Sequence, residues 1–250
     1  LLRRAAHRGV FAIAVAAAMV TCLALAQDDG APLLADRSPE WQLARGGRLY
    51  DNWFAAQLAE PPFTPHPMLP AGTGVEPATS WRCPTCHGWD YAGGRIAGTD
   101  RALDAPSLAG MRGGDPAPVA ATLKAGSHGY TDAILTEESL YLLARFVVEG
   151  QHDVATYADP ETGAANGHPL DGRPIYQGVC ISCHDVDGLA YIEGEPGDLA
   201  SLGWLARARP AQVLHKIRNG QPGTEMVQLR FLTDAQISDL LAYLQTLPDP

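Results

Sequence analysis

Cysteine is scarce in this chain. Only five occur among 250 residues, and their placement leaves none over for a disulfide framework. Basic residues are few as well: 18 Lys and Arg stand against 28 Asp and Glu, for a net charge of −10 at pH 7. Such a deficit argues against nucleic acid or an anionic membrane as partner. It suits steering toward a redox protein with a basic docking patch, although acidity also serves solubility alone. Aromatic residues make up 7% of the chain, which is little with which to fill a core. No stretch alternates apolar and polar residues as a half-buried strand does, so the expected class is all-α.

Four of the five cysteines fall in two short motifs whose first cysteines lie 97 positions apart, Cys83-Pro84-Thr85-Cys86-His87 and Cys180-Ile181-Ser182-Cys183-His184. Cys-x-x-Cys-His marks covalent c-type haem attachment. On a helical turn, residues three and four apart share a face. The two thiols can then meet the haem vinyl groups while the imidazole reaches the iron as proximal ligand. A zinc site or a redox dithiol would also use Cys-x-x-Cys. Neither needs a histidine directly after the second cysteine, and here both copies have one. Two covalently bound haem c groups are therefore expected, on Cys83, Cys86, Cys180 and Cys183, with His87 and His184 as proximal ligands.

The fifth cysteine, Cys22, belongs to an N-terminal segment with an export pattern. Arg3, Arg4, His7 and Arg8 precede an apolar run from Val10 to Leu25, and Ala24-Leu25-Ala26 follows the small-residue cleavage rule. Residues 1–26 are expected to be a signal peptide, which places the folded part in the periplasm. If it stays uncleaved, the same segment is an N-terminal membrane anchor. Its loss removes Arg3, Arg4 and Arg8, leaving 15 basic against 28 acidic residues and a net charge of −13.

An internal repeat organises the remainder. Asp104–Gly126 aligns without a gap to Asp198–Gly220, and in each copy a proline (Pro116, Pro210) opens a short helix that a glycine closes. The last helix of each half repeats too: Leu140, Leu143, Ala144 and Val147 match Ile237, Leu240, Leu241 and Leu244 as an i, i+3, i+4, i+7 stripe. Thr136 and Thr233 are the N-cap candidates, and Thr233 with Gln236 makes a capping box. Each half begins with a helical segment carrying Leu49-Tyr50 or Ile175-Tyr176. The expected domains are 27–150, with an inserted surface loop at about 60–79, and 172–250, joined by a linker at 151–171.

The order of initial helix, Cys-x-x-Cys-His, glycine-closed helix, methionine loop and terminal helix ending Ala242-Tyr243-Leu244 resembles class I cytochromes c. The doubled arrangement resembles the exported bacterial dihaem cytochromes c. That resemblance implies two tandem helical domains, each around one covalent haem. It also implies Met226, which lies 42 residues beyond His184, as distal ligand of the second haem. In the first half the position aligned with Met226 is Asp132, a poor haem ligand. His128, 41 residues beyond His87, is the first choice there. Met111 in the core region, His66 or Met68 in the inserted loop, and an open iron remain alternatives. His152, His168 and His215 read as solvated surface, and Trp81, Trp89 and Tyr91 as packing around the first haem.

The function expected from this is electron transport between redox partners such as a dehydrogenase, an oxidase or another cytochrome. The protein would act as a free carrier or as a dehydrogenase subunit, through transient docking. The competing expectation is an enzyme, peroxidase-like or acting on sulfur or nitrogen compounds, with the first haem as its catalytic centre. It would need a vacant or displaceable distal position in the first half.

Overall fold

The computed structural model describes residues 36–97, 99–126, 128–190 and 200–249; the expected signal segment lies outside them. Ser38 to the C-terminus forms one compact unit. The described residues are helical and contain no β-strand, only isolated bridges at Arg95–Ala102 and Ala158–Ala165. None of their helices is long and apolar enough to cross a membrane.

The punctuation read from the sequence is found in place. Helix α1 (Pro39–Gln57) starts behind Ser38, whose hydroxyl accepts from the Trp41 N–H, and it kinks at Asn52. Two short helices follow, α2 (Pro77–Ser80) and α3 (Cys83–His87). Helix α4 (Pro116–Lys124) begins behind Asp115. Helix α5 (Glu137–Arg145) is capped by Thr136 and runs into a wider turn at Phe146–Gly150. In the second half, α6 (Pro169–Ile175), a wide turn at Tyr176–Cys180 and α7 (Ile181–His184) lead to α8 (Leu202–Ala208) and α9 (Pro210–Asn219). Helix α10 (Asp234–Leu244) carries the full Thr233–Gln236 capping box.

The two halves repeat one packing device. Helix α1 lies against α5, and α6 against α10. At each crossing a glycine lets the backbones meet. A Cβ on Gly46 would sit 2.2 Å from the Leu142 carbonyl oxygen, and one on Gly172 would sit 2.0 Å from that of Asp239. Four residues further on in each half stands a fully buried tyrosine, Tyr50 within α1 and Tyr176 just past the end of α6. The Tyr50 hydroxyl donates to the Gly88 carbonyl and the Tyr176 hydroxyl to the Asp185 carbonyl, both at 2.6 Å. Gly88 and Asp185 directly follow the two motif histidines, and each turns the chain out of its short helix with φ of 73° and 62°. Asp185 thus holds a conformation that costs a non-glycine residue about 1–3 kcal/mol. The Tyr176 hydrogen bond and the bond from the Val186 N–H to the Asp185 carboxylate help to hold it there.

Gly172→Ala should overpack the α6–α10 crossing. Lost core packing of about 1–3 kcal/mol would lower the thermal midpoint by roughly 2–12 °C. Gly178→Ala, where an added Cβ meets open space, is the control. Equal midpoints for the two variants would contradict the close crossing.

The halves meet through α1 and α9. Gly47 faces Asn219, and its carbonyl accepts from His215 Nε2 at 2.9 Å. His215 and His152 are therefore not surface residues, as their sequence context suggests. They are 0% and 4% exposed and both contact the Tyr91 hydroxyl. Because a carbonyl only accepts, His215 Nε2 carries the proton, and the unprotonated Nδ1 accepts a hydrogen bond from the Tyr91 hydroxyl. Burial holds the His215 pKa down to about 3, which keeps the imidazole neutral. Nearby Asp51, with no exposed surface, is paired with both Arg82 and Lys216, as a buried carboxylate must be. His168 is exposed, as expected.

The stretch read as a linker is not loose. Tyr157 and Ala158 lie in the core of the second half, and residues 169–171 already belong to α6.

Candidate haem site

Cys83, Cys86 and His87 fall on α3 and all three line one cavity of about 370 Å³. That volume lies within the range of small-molecule and cofactor pockets. Leu103, Leu108, Leu123, Leu143, Val147 and Val148 supply apolar wall from the loop after α3, from α4 and from the α5 turn. Helix α3 is short because Gly88 ends it, its N–H donating to the Pro84 carbonyl. The chain then loops back tightly. Gly93 passes so close to the Ala105–Pro106 backbone that a Cβ would lie 2.4 Å from the Ala105 oxygen. This return brings the Pro106 carbonyl to 3.1 Å from His87 Nδ1. Nδ1 must be the donor there, so Nε2 keeps its lone pair, the form a metal ligand requires. Burial also lowers the His87 pKa and favours the neutral ring.

Across the cavity stands His128. Its ring is nearly parallel to that of His87, at 15°, with centroids 6.2 Å apart. Two imidazoles each bound about 2 Å from one shared metal would have ring centres roughly 6 Å apart. Buried His128 Nδ1 has no hydrogen-bond partner. The residues of the first half therefore fit a covalently held haem with a histidine on each side.

The inserted loop does not stay on the surface. His66 is 6% exposed and lines the cavity together with Met68. Its backbone N–H donates to Ser80 Oγ, its Nδ1 accepts from the Met68 N–H, and its ring lies 4.5 Å from that of Trp81. The Trp81 indole in turn donates to the Thr64 carbonyl. These aromatic and hydrogen-bonded anchors outweigh the loop's Pro- and Gly-rich composition. Met111 also lines the cavity, whereas Asp132 pairs with Lys124. Tyr91 does not line it: with φ at 63° it packs on Tyr50 and Phe146 and reaches His215 of the other half with its hydroxyl. Trp89 packs on His215.

The other chemistries for Cys-x-x-Cys find no support. Among the described residues no group of three or more His, Cys, Asp or Glu is placed to hold a metal ion. Burial pushes Cys83 up to about 12 and Cys180 up to about 11, whereas the nucleophilic cysteine of a dithiol is lowered.

The second motif is more open. Cys180 and His184 are half-buried and Cys183 is exposed. Met226 is half-buried in the loop after α9, in a shallow depression with Arg48, Thr224, Glu225, Val227 and Gln228. Cys180, Cys183 and His184 do not line that depression, so the structure brings Met226 and the second motif together in neither cavity. Residues 191–199, which follow this motif closely, lie outside the described residues.

Residues 167–244 match the protein family described as cytochrome C oxidase, cbb3-type, subunit III. This stretch is a cytochrome c domain. It implies covalently bound haem c, and with it a haem electron-transfer protein that works with redox protein partners. The match begins two residues before α6 and ends with α10, so it spans the second motif and Met226. No curated protein matches the chain.

Proposed function

We propose that this protein is an exported, periplasmic dihaem cytochrome c that carries electrons between redox partners. The reading takes Cys83/Cys86 and Cys180/Cys183 as the covalent attachments, His87 and His184 as proximal ligands, and His128 and Met226 as distal ligands. It is supported in the second half by the cytochrome c match. In the first half it is supported by the repeated glycine crossing and buried tyrosine, which favour two tandem domains of one kind.

The observation that carries the function is the opposed pair His87 and His128. A carrier needs both axial positions filled and no substrate pocket, whereas a haem enzyme needs one position open or displaceable. Bound haem would supply one-electron chemistry at the iron. The chain's own residues fix the two imidazoles, wall the cavity with apolar side chains and keep His87 neutral. One observation favours the enzyme reading: His66 lines the same cavity as His87 and His128, a third imidazole at the site.

Carbon monoxide separates the two. The reduced protein should leave its spectrum unchanged under the gas. Met226→Ala should bind it at one haem and lose the far-red sulfur-to-iron band, because the thioether is gone. Binding by the wild-type protein at the haem of the first half would favour the enzyme reading.

A further inference from the structure

A buried ion triad joins the cavity of the first half to the second half. Asp51, on α1, has no exposed surface. Its Oδ1 accepts from Arg82 Nη2 at 2.5 Å, and its Oδ2 accepts from Lys216 Nζ, which comes from α9. Arg82 also donates from Nε to the Asp51 carbonyl at 2.8 Å, so the guanidinium is held at two points. Arg82 directly precedes Cys83 and lines the cavity, whereas Asp51 and Lys216 do not. The Trp89 ring lies 5.7 Å from the Arg82 guanidinium and 5.3 Å from the Lys216 ammonium, a cation–π contact with each. The field of these charges reaches the attachment motif itself. Burial and Cys86 raise the Cys83 thiol most, and among the charged groups beyond them Arg82 lowers it and Asp51 raises it.

We propose that the second half lends a charge to the first haem: Lys216, joined to Arg82 through the shared Asp51 carboxylate, raises the potential of that haem. This rests on the reading of the first cavity as a haem site. Two cations against one carboxylate leave the triad with a net charge of +1. Positive charge nearby favours the iron with one electron more, so the triad as a whole favours reduction. Each member acts by its own sign, the carboxylate against the two cations. Asp51 is wholly buried and the Lys216 side chain is only 15% exposed, so salt screens the effect little. The axial ligands still decide which haem lies lower, and the triad adjusts the first one from the far side of the contact between the halves.

The test is a redox titration of the haem-loaded protein, following the component that disappears in Cys83→Ser with Cys86→Ser. At fixed ambient potential, Lys216→Gln should shift its oxidised-to-reduced ratio about threefold or more toward oxidised, on the scale of one unit charge at an effective dielectric of about 20. Asp51→Asn leaves both cations in place and should shift the ratio the opposite way. Lys216→Arg keeps the charge and should titrate as the wild type does. The shifts should persist at about 1 M salt, where the screening length is about 3 Å. A general disturbance of packing would not reverse its sign between the two variants. An unmoved ratio in Lys216→Gln, shifts of one sign in Lys216→Gln and Asp51→Asn, or a shift that salt abolishes would overturn the proposal. If Asp51→Asn does not fold, Lys216→Gln beside Lys216→Arg decides alone. A titration that loses no component in Cys83→Ser with Cys86→Ser would instead overturn the haem reading of the first cavity, and the proposal with it.

Discussion

Two haems should remain on the polypeptide through denaturing electrophoresis, and each motif should account for one of them. Cys83→Ser with Cys86→Ser is expected to halve the haem stain, as is Cys180→Ser with Cys183→Ser; the fourfold variant should have none. The effect is all-or-none because a thioether is a covalent link and no other cysteine among the described residues could replace it. Loss of the first haem should also cost stability. The cavity of about 370 Å³ is walled mostly by apolar side chains that the group would otherwise cover. A protein that keeps full stain after the fourfold change would end the haem reading in both halves.

The next largest effect is expected at His128. An imidazole is a harder and more basic donor than a thioether, so it stabilises oxidised iron and lowers the potential. The first haem should therefore titrate below the second, and His128→Met should raise it toward the second. Axial ligands can move haem potentials over about 0.8 V, which makes this the leading determinant to change. Arg82 lines the cavity and is paired with buried Asp51, so its charge is partly offset at the site and does not reverse the ordering. Two equal potentials in the wild type, or no shift on substitution, would refute it. His66→Ala is the companion variant. It removes a ring that packs on Trp81 and Tyr130 in the same cavity wall and should loosen the surroundings of His128 without replacing it.

What could be read from the sequence was local. Pro116, Pro210, Thr136 and Thr233 mark helix starts through contacts within three or four residues, and all four stand where expected. The reading of the two motifs as haem attachments rests on five residues each, and the structure sets those of the first around one cavity. His128 was singled out by comparing the halves, since Asp132 stands where a methionine would align, and the structure sets its ring opposite that of His87. What escaped depends on contacts far apart in the chain. His215 aligns with Ala121, which is exposed on α4, so nothing near it announces that α9 is buried against α1. Tyr91 follows His87 by four residues and reads as pocket packing until its positive φ turns it away. The inserted loop has the composition of a surface excursion, and its return over the cavity rests on Ser80, Trp81 and Tyr130. The one signal available was the Gly46-Gly47 pair inside a helix, where glycine costs about 1 kcal/mol and signals a close neighbour.

That glycine pair has a consequence for timing. Neighbouring positions on a helix point about a quarter-turn apart, so Gly46 seats α1 against α5 while Gly47 seats it against α9. One helix is thus a shared wall, and the two halves cannot tumble as beads on a string. The separation between the two attachment motifs is then fixed when the chain folds. Traffic between them would proceed across one gap of constant width, with a single rate, rather than waiting on chance encounters of loosely tethered modules.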